Sequence, residues 1–77
     1  MESLTLLERV QRALRPHALG EVTATSRFVA DLGFDELAVV DSIIALEDEF
    51  DIEISDEDSM AWESVDQALL FLRDRLS

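Results

Sequence analysis

The sequence predicts an all-α fold: a four-helix bundle of three longer helices and one short helix, with a long loop between the first and second helices. Apolar residues recur at helical spacing behind capping residues in several segments, which is typical of amphipathic helices. Only two glycines and one proline occur in 77 residues, too few for the many turns of a β-sandwich or barrel. A chain of this length is expected to form one domain, residues 1–77, close to the lower size limit of a self-sufficient core.

The first helix is predicted to begin near Ser3 or Thr5 and to end at Pro16. Thr5 and Glu8 have the spacing of a capping box, and Pro16 lacks the backbone donor that an α-helix needs. The core stripe of this helix comprises Leu7, Val10 and Leu14. Its arginines are expected to point away from that stripe; they are Arg9, Arg12 and Arg15. The loop over 16–34 follows, and we expect its apolar residues to be buried; they are Leu19, Val22, Phe28 and Leu32.

The second helix is predicted to run from about 36 to 50, with Asp35 as its N-cap. Its apolar positions form two stripes, separated by about 120° around the helix axis. The stripe that faces the core comprises Val39, Ile43, Leu46 and Phe50. The second stripe comprises Leu37, Val40 and Ile44. That second stripe either docks a partner or packs against the long loop or the third helix, and the sequence leaves both open.

Carboxylates border the second stripe, with Glu47 on one side and Asp41 and Asp48 on the other. An apolar strip edged by acids is typical of a surface that docks a basic, partly apolar partner. We therefore predict a partner-binding surface on this helix. It comprises Leu37, Val40, Asp41, Ile44, Glu47 and Asp48.

The C-terminal third of the chain contains two further predicted helices. Residues 51–55 alternate like a strand, but no other segment would pair with them, so we expect extended loop. Ser55 is predicted to cap the short third helix, and Ser64 with Gln67 has capping-box spacing for the last helix. The core stripe of the last helix comprises Val65, Leu69, Leu72 and Leu76. Trp62 is expected to cover one end of the core.

The net charge of −12 is concentrated in residues 31–63, which contain thirteen acids and no base. A surface of one sign steers partners of the opposite sign, and it argues against direct nucleic-acid binding, which needs clustered Lys and Arg. The alternative is that these acids only keep a small protein soluble.

Several classes of function are disfavoured. The chain has no cysteine, and its acidic stretch does not fit a calcium loop, because Asp56 and Trp62 occupy the positions of the required glycine and bidentate carboxylate; we expect no metal site. His17 is the only histidine and has no evident partner for acid–base catalysis, so we expect no enzyme activity. No apolar run approaches the roughly 20 residues of a membrane span, and an acid follows Met1. We expect a cytoplasmic monomer without membrane contact.

Several segments together resemble an acyl carrier protein: Phe28-Val-Ala-Asp-Leu-Gly-Phe-Asp35, Leu37, Ala45-Leu-Glu-Asp-Glu-Phe50 and the acidic segment through Asp58. The resemblance extends from the first helix through Leu72. It implies a bundle that carries acyl intermediates on a 4′-phosphopantetheine arm, in fatty acid, polyketide or related lipid biosynthesis. It also implies partners with basic surfaces: synthases, acyltransferases and the phosphopantetheinyl transferase.

In that family the arm is esterified to a serine in an Asp-Ser-Leu motif that opens the second helix. The matching cofactor-binding positions are Asp35, Glu36 and Leu37, and Glu36 stands in the place of the serine. Because a carboxylate cannot form the same stable phosphodiester, we predict that ordinary loading is absent and that this chain carries no cofactor. Glu36 is either an engineered Ser→Glu change or a feature of a natural relative that lost the arm.

Two other hypotheses for the function stay open. The chain could be a functional carrier, loaded on Ser42 or on a serine at position 36 of the natural protein. Ser42 lies six residues further on, roughly 9 Å along the helix axis, and we expect its hydroxyl to bond back to a carbonyl. The chain could instead be an acidic scaffold or inhibitor that is unrelated to acyl transfer.

Overall fold

A computed structural model describes residues 4–76, and within that range the predicted all-α fold is confirmed. Four helices follow one another along the chain: α1 (Leu6–Leu14), α2 (Glu36–Phe50), α3 (Asp56–Met60) and α4 (Val65–Leu76). A single 3₁₀ turn, Arg15–His17, directly follows α1. The α-helix therefore ends before Pro16, as predicted, and Pro16 is accommodated in the tighter turn because an N-terminal position needs no backbone donor.

The predicted capping residues fix where the helices begin. Thr5 Oγ1 accepts a hydrogen bond from Glu8 N at 3.1 Å, and Glu8 Oε1 accepts one from Thr5 N at 2.9 Å, which completes a capping box. Ser3, the other predicted start, lies outside the described residues. Ser55 caps α3 by accepting from Asp58 N. The box predicted for α4 forms in one direction only, since Gln67 Oε1 accepts from Ser64 N while the Ser64 hydroxyl donates to Asp66.

The core combines residues of α1, α2, α4 and the segments that connect them, whereas α3 contributes no buried residue. Its buried apolar residues are Val10, Leu14, Val22, Phe28, Leu32, Phe34, Leu46, Phe50, Ile54, Val65, Ala68 and Leu72. In α4 the prediction was partly wrong, because Leu76 is exposed and Ala68 is buried instead. Trp62 packs partly buried against this core and against the ring of Phe71, with 5.3 Å between centroids, as expected for a residue that covers one end.

The long loop is held by hydrogen bonds to the start of α4 and to α1. Phe28 N donates to Glu63 O at 3.0 Å, and Val65 N donates to Ser26 O at 2.9 Å, so the loop is tied to the start of α4. The Gln11 side chain donates to Val22 O at 2.7 Å, which ties it to α1. These bonds fix the loop that leads into α2.

One buried position in the loop was predicted wrongly. Leu19 is 86% exposed, and its side chain lies over Gly33, where a Cβ atom would come within 2.5 Å of it. Gly33 has a positive φ of 69°, a conformation that suits glycine. The turn at Gly33 brings Phe34 into the core, where its ring stacks on Phe28 with 5.9 Å between centroids.

The arginines of α1 do not all point away from the bundle, which corrects a second expectation. Arg9 Nε donates to Glu49 Oε2 at 3.1 Å, and Arg12 Nη2 donates to the same oxygen at 2.6 Å. The Arg9 guanidinium also lies over the Phe50 ring, 4.4 Å from its centroid. Two of the three arginines therefore fasten α1 to the C-terminal end of α2.

Candidate functional site

The exposed N-terminal end of α2 contains the predicted cofactor-binding positions. Asp35 is the N-cap, and its Oδ1 accepts a hydrogen bond from Ala38 N at 2.8 Å. Glu36 is the first residue of the helix and is exposed to solvent. Leu37, the next residue, is 69% exposed. A carboxylate in the first turn is favoured by the helix dipole, so Glu36 fits this position without a partner side chain.

The second apolar stripe of α2 stays at the surface and forms what we call the α2 strip: Leu37, Val40 and Ile44. Val40 is 51% exposed and Ile44 is 50% exposed. The long loop does not cover these residues. Val40 and Ile44 of the α2 strip instead form one wall of a groove whose other wall includes Ile54 and Met60. The third helix thus extends the apolar surface instead of hiding it.

The three acids predicted to border the α2 strip have different surroundings. Asp41 and Asp48 are exposed. Glu47 is half-buried, and its Oε2 accepts a hydrogen bond from Ile54 N at 2.8 Å. Asp41 and Asp48 are therefore displayed to solvent, whereas Glu47 also holds the segment that leads into α3.

A fourth acid of α2, Glu49, is bound to arginine. It accepts hydrogen bonds from Arg9 and Arg12, and its side chain is only 13% exposed. The hydrogen bond from Arg12, assisted by Arg9, lowers the pKa of the Glu49 carboxyl. The same interaction raises the pKa of Arg12. Within α2, this pairing occurs at the end opposite to Glu36.

Ser42 lies inside the protein and not on the α2 strip. It is 2% exposed, and its Oγ donates to Val39 O at 2.8 Å, the back-bond that the sequence predicted. No solvent-facing hydroxyl is therefore available in the middle of α2.

An apolar cavity of about 280 Å³ lies between the loop, α2 and the residues around Trp62. Phe28, Phe34 and Leu46 line it, and it exceeds the roughly 150 Å³ of an engineered apolar cavity that admits benzene. The volume is suited to sheltering a small apolar group. Phe34 was not among the loop residues that the sequence predicted to be buried, although an apolar aromatic residue directly after Gly33 was a signal that could have identified it.

The part of the chain that the structure describes contains no cluster of His, Cys, Asp and Glu able to hold a metal ion. Over residues 4–76, no helix is both long and apolar enough to cross a membrane.

Comparison with known proteins decides the family. The model for the phosphopantetheine attachment site matches residues 4–72. The acyl carrier protein of Sulfurovum sp. (strain NBC37-1) is 48% identical over 52 residues, which are 68% of this chain and 69% of that protein. The chain belongs to the acyl carrier protein family.

Acyl carrier proteins are carrier domains that are not catalytic themselves and that interact with biosynthetic enzymes. This carrier domain is accordingly not an enzyme. The family's cofactor is 4′-phosphopantetheine, whose attachment requires a hydroxyl group. Residues 35–41 contain no hydroxyl, and the hydroxyl of Ser42 is buried and bonded. The residues at the start of α2 therefore do not fit a covalently attached arm.

Proposed function

We propose that this carrier domain docks carrier-dependent enzymes through α2 but is not loaded at position 36. Synthases, acyltransferases and the phosphopantetheinyl transferase are the partner classes. The observation that carries the proposal is the position of Glu36, an exposed carboxylate at the first residue of α2, beside the α2 strip.

The chemistry of loading supports the claim that position 36 is not loaded. A hydroxyl oxygen attacks the pyrophosphate of coenzyme A, a new oxygen–phosphorus bond forms, and the nucleotide portion leaves. A carboxylate in that role would give a mixed anhydride, which water cleaves readily. Glu36 therefore prevents stable attachment while leaving the surrounding helix intact.

The geometry of glutamate supports a second feature of this site. The carboxyl carbon of Glu36 is two bonds from Cβ, as the phosphorus of a phosphorylated serine would be. A glutamate carboxylate and a phosphodiester both carry one negative charge at neutral pH. The chain thus presents, near the start of α2, the charge of a loaded carrier without its arm.

The α2 strip supports the docking half of the proposal. Leu37, Val40 and Ile44 offer apolar contact area, and the exposed carboxylates of Asp41 and Asp48 border it. Apolar contacts at the centre of an interface supply most of the affinity. Charges at the rim select partners of opposite sign and speed their approach. A basic surface with an apolar centre is the complement of this face.

Intact-mass spectrometry after incubation with coenzyme A and a broad-specificity phosphopantetheinyl transferase tests the loading claim. We expect no mass change for the natural chain and the gain of one phosphopantetheine for Glu36→Ser. The variants Ser42→Ala and Glu36→Ser/Ser42→Ala provide matched controls. The double variant should gain phosphopantetheine to the same extent as Glu36→Ser. A gain on the natural chain that Ser42→Ala abolishes would establish Ser42 as the attachment site and overturn the proposal.

A pull-down separates docking from an unrelated acidic role. The natural chain should capture a carrier-dependent enzyme, and Ile44→Asp should capture much less of it. Capture of other proteins, with no carrier-dependent enzyme among them, would favour an acidic scaffold instead.

A further inference from the structure

A second apolar groove lies on the α1 and α4 side of the bundle, and the proposed docking through α2 does not use it. We call it the α1–α4 face. It is lined by Thr5, Leu6, Leu7, Asp66, Leu69, Leu70 and Arg73. Leu70 is 57% exposed, and Leu6, Leu7 and Leu69 are half-buried. Exposed leucine beside further apolar side chains is a feature of interaction surfaces.

The charged residues of this face are arranged symmetrically along α4. Asp66 and Arg73 lie seven residues apart, which is roughly two turns or about 10 Å along the axis, so they share one side of the helix. Leu69 and Leu70 lie midway between them. A two-fold rotation about that midpoint places Asp66 of one helix opposite Arg73 of the other. The same rotation places Leu69 opposite Leu70.

The distribution of charge favours contact with a second copy of the chain through this face over contact through the α2 side. Residues 64–77 contain two acids and two arginines, whereas residues 31–63 contain thirteen acids and no base. Two copies that met through their α2 strips would bring like charges together, which opposes association. Two copies of a chain with a net charge of −12 therefore meet less repulsion through the α1–α4 face than through the α2 strips.

We propose that the α1–α4 face binds a second copy of this chain about a two-fold axis. The α4 helices pack antiparallel, with Leu70 at the centre of the contact, and Asp66 faces the partner's Arg73 on each side of the axis. Such an isologous contact needs a surface that is complementary to itself, and the acid–leucine–arginine order of α4 meets that need. Both α2 strips remain free for enzymes in this dimer.

The size of the face sets the expected strength. A standard interface buries about 800 Å² per partner, which would be about 15% of the 5236 Å² surface of this chain. A contact restricted to two turns of α4 and the start of α1 is smaller than that. We therefore expect a weak dimer with a Kd on the order of 0.1 mM, populated only at high concentration.

Sedimentation equilibrium from about 10 μM to 1 mM, in buffer with about 0.15 M salt, measures the association. The natural chain should shift from monomer to dimer over that range. Asp66→Arg and Arg73→Asp should each weaken self-association at least tenfold, because each places like charges across the axis. An equimolar mixture of the two variants should form a heterodimer, since both cross-axis pairs are then opposite in sign. The double variant Asp66→Arg/Arg73→Asp should regain the natural affinity.

Two controls keep the test independent of folding and of the α2 docking proposal. Circular dichroism must show the natural helix content for each variant, and Val29→Asp, which changes an exposed loop residue outside this face, should leave the dimer unchanged. Leu70→Asp should abolish the dimer. A chain that stays monomeric at 1 mM, or a mixture of the two charge variants that does not associate, would overturn the proposal, and neither result bears on enzyme docking or loading.

Discussion

The two ends of α2 differ in almost every physical respect. At the N-terminal end, Glu36 and Leu37 are exposed, and the Asp35 side chain caps the backbone of the first turn. At the C-terminal end, Phe50 is buried and Glu49 binds two arginines of α1. One helix thus combines an end that is open to partners with an end that is anchored in the bundle.

The difference between the two ends indicates which part of α2 contributes most to the stability of this small protein. Burial of apolar side chains and shielded hydrogen bonds contribute most to a fold, and both are concentrated at the anchored end. The open end contributes little packing, so residues there can change with small cost to folding. Substitutions along α2 should therefore separate stability from partner binding.

The largest expected effect is on a core residue in the anchored half. Leu46 is fully buried, so Leu46→Ala should lower the free energy of unfolding by about 2–5 kcal/mol. Val40→Ala, on the half-exposed α2 strip, should lower it by about 0.5 kcal/mol or less. Urea titration followed by circular dichroism measures both. Equal losses for the two variants would show that the α2 strip is packed and not displayed.

The next effect concerns docking. Asp41→Lys should weaken binding to a carrier-dependent enzyme about tenfold, because it places a like charge opposite a basic surface. The midpoint of unfolding should stay unchanged. Isothermal titration with the phosphopantetheinyl transferase measures the affinity. Glu47→Lys is a poorer test, since it also removes the acceptor for Ile54 N and should destabilise the fold. An unchanged affinity for Asp41→Lys would assign recognition to another surface.

A smaller effect, on the free energy of unfolding, is expected when the acids at the two ends of α2 are replaced. Glu49→Gln should lower the free energy of unfolding by about 1 kcal/mol after allowance for solvent screening, because it removes two charged hydrogen bonds. The matched change Glu36→Gln should have almost no effect on stability. Thermal unfolding of both variants at low and high salt provides the comparison, and the Glu49 effect should shrink as salt rises. A larger loss of unfolding free energy for Glu36→Gln than for Glu49→Gln would contradict the conclusion that the N-terminal end of α2 contributes little stability.

The smallest effect is a pH dependence at the anchored end. Arg12 and Arg9 lower the pKa of Glu49 in the folded protein, whereas the unfolded value is about 4.3. The stabilisation is therefore complete above the unfolded pKa and is lost as the pH falls through the lowered folded pKa. The stability difference between the natural chain and Glu49→Gln should shrink as the pH is reduced from 7 to 3. A difference that stays constant with pH would mean that the ion pair contributes no net stability.

The bounds of α2 and the existence of its second apolar stripe could be predicted from the sequence, whereas the sequence left open whether that stripe is covered. The Asp35 cap and the helical period of apolar residues are local signals, and they lie within one stretch of chain. The Thr5–Glu8 capping box and the back-bond of Ser42 could be predicted for the same reason. Hydrogen bonds between residues that are close in sequence specify these features, so no tertiary contact is needed to predict them.

The features that could not be predicted depend on contacts between distant segments. Arg9 and Glu49 are forty residues apart in sequence, and only the packing of α1 against α2 brings them together. In the long loop, no periodic spacing of apolar residues indicates which side chain faces inward. The exposed Leu19 and the buried Phe34 could therefore not be distinguished. The turn at Gly33 makes that choice through its positive φ.

Competition for the phosphopantetheinyl transferase tests most directly whether this domain docks without being loaded. The natural chain, in increasing excess, is mixed with the Glu36→Ser variant, coenzyme A and limiting transferase, and intact-mass spectrometry follows both proteins over time. We expect the variant alone to gain phosphopantetheine, at a rate that falls as the natural chain is added, with an Ile44→Asp form of the natural chain competing much less. A mass gain on the natural chain, or a loading rate that the natural chain leaves unchanged, would contradict the account.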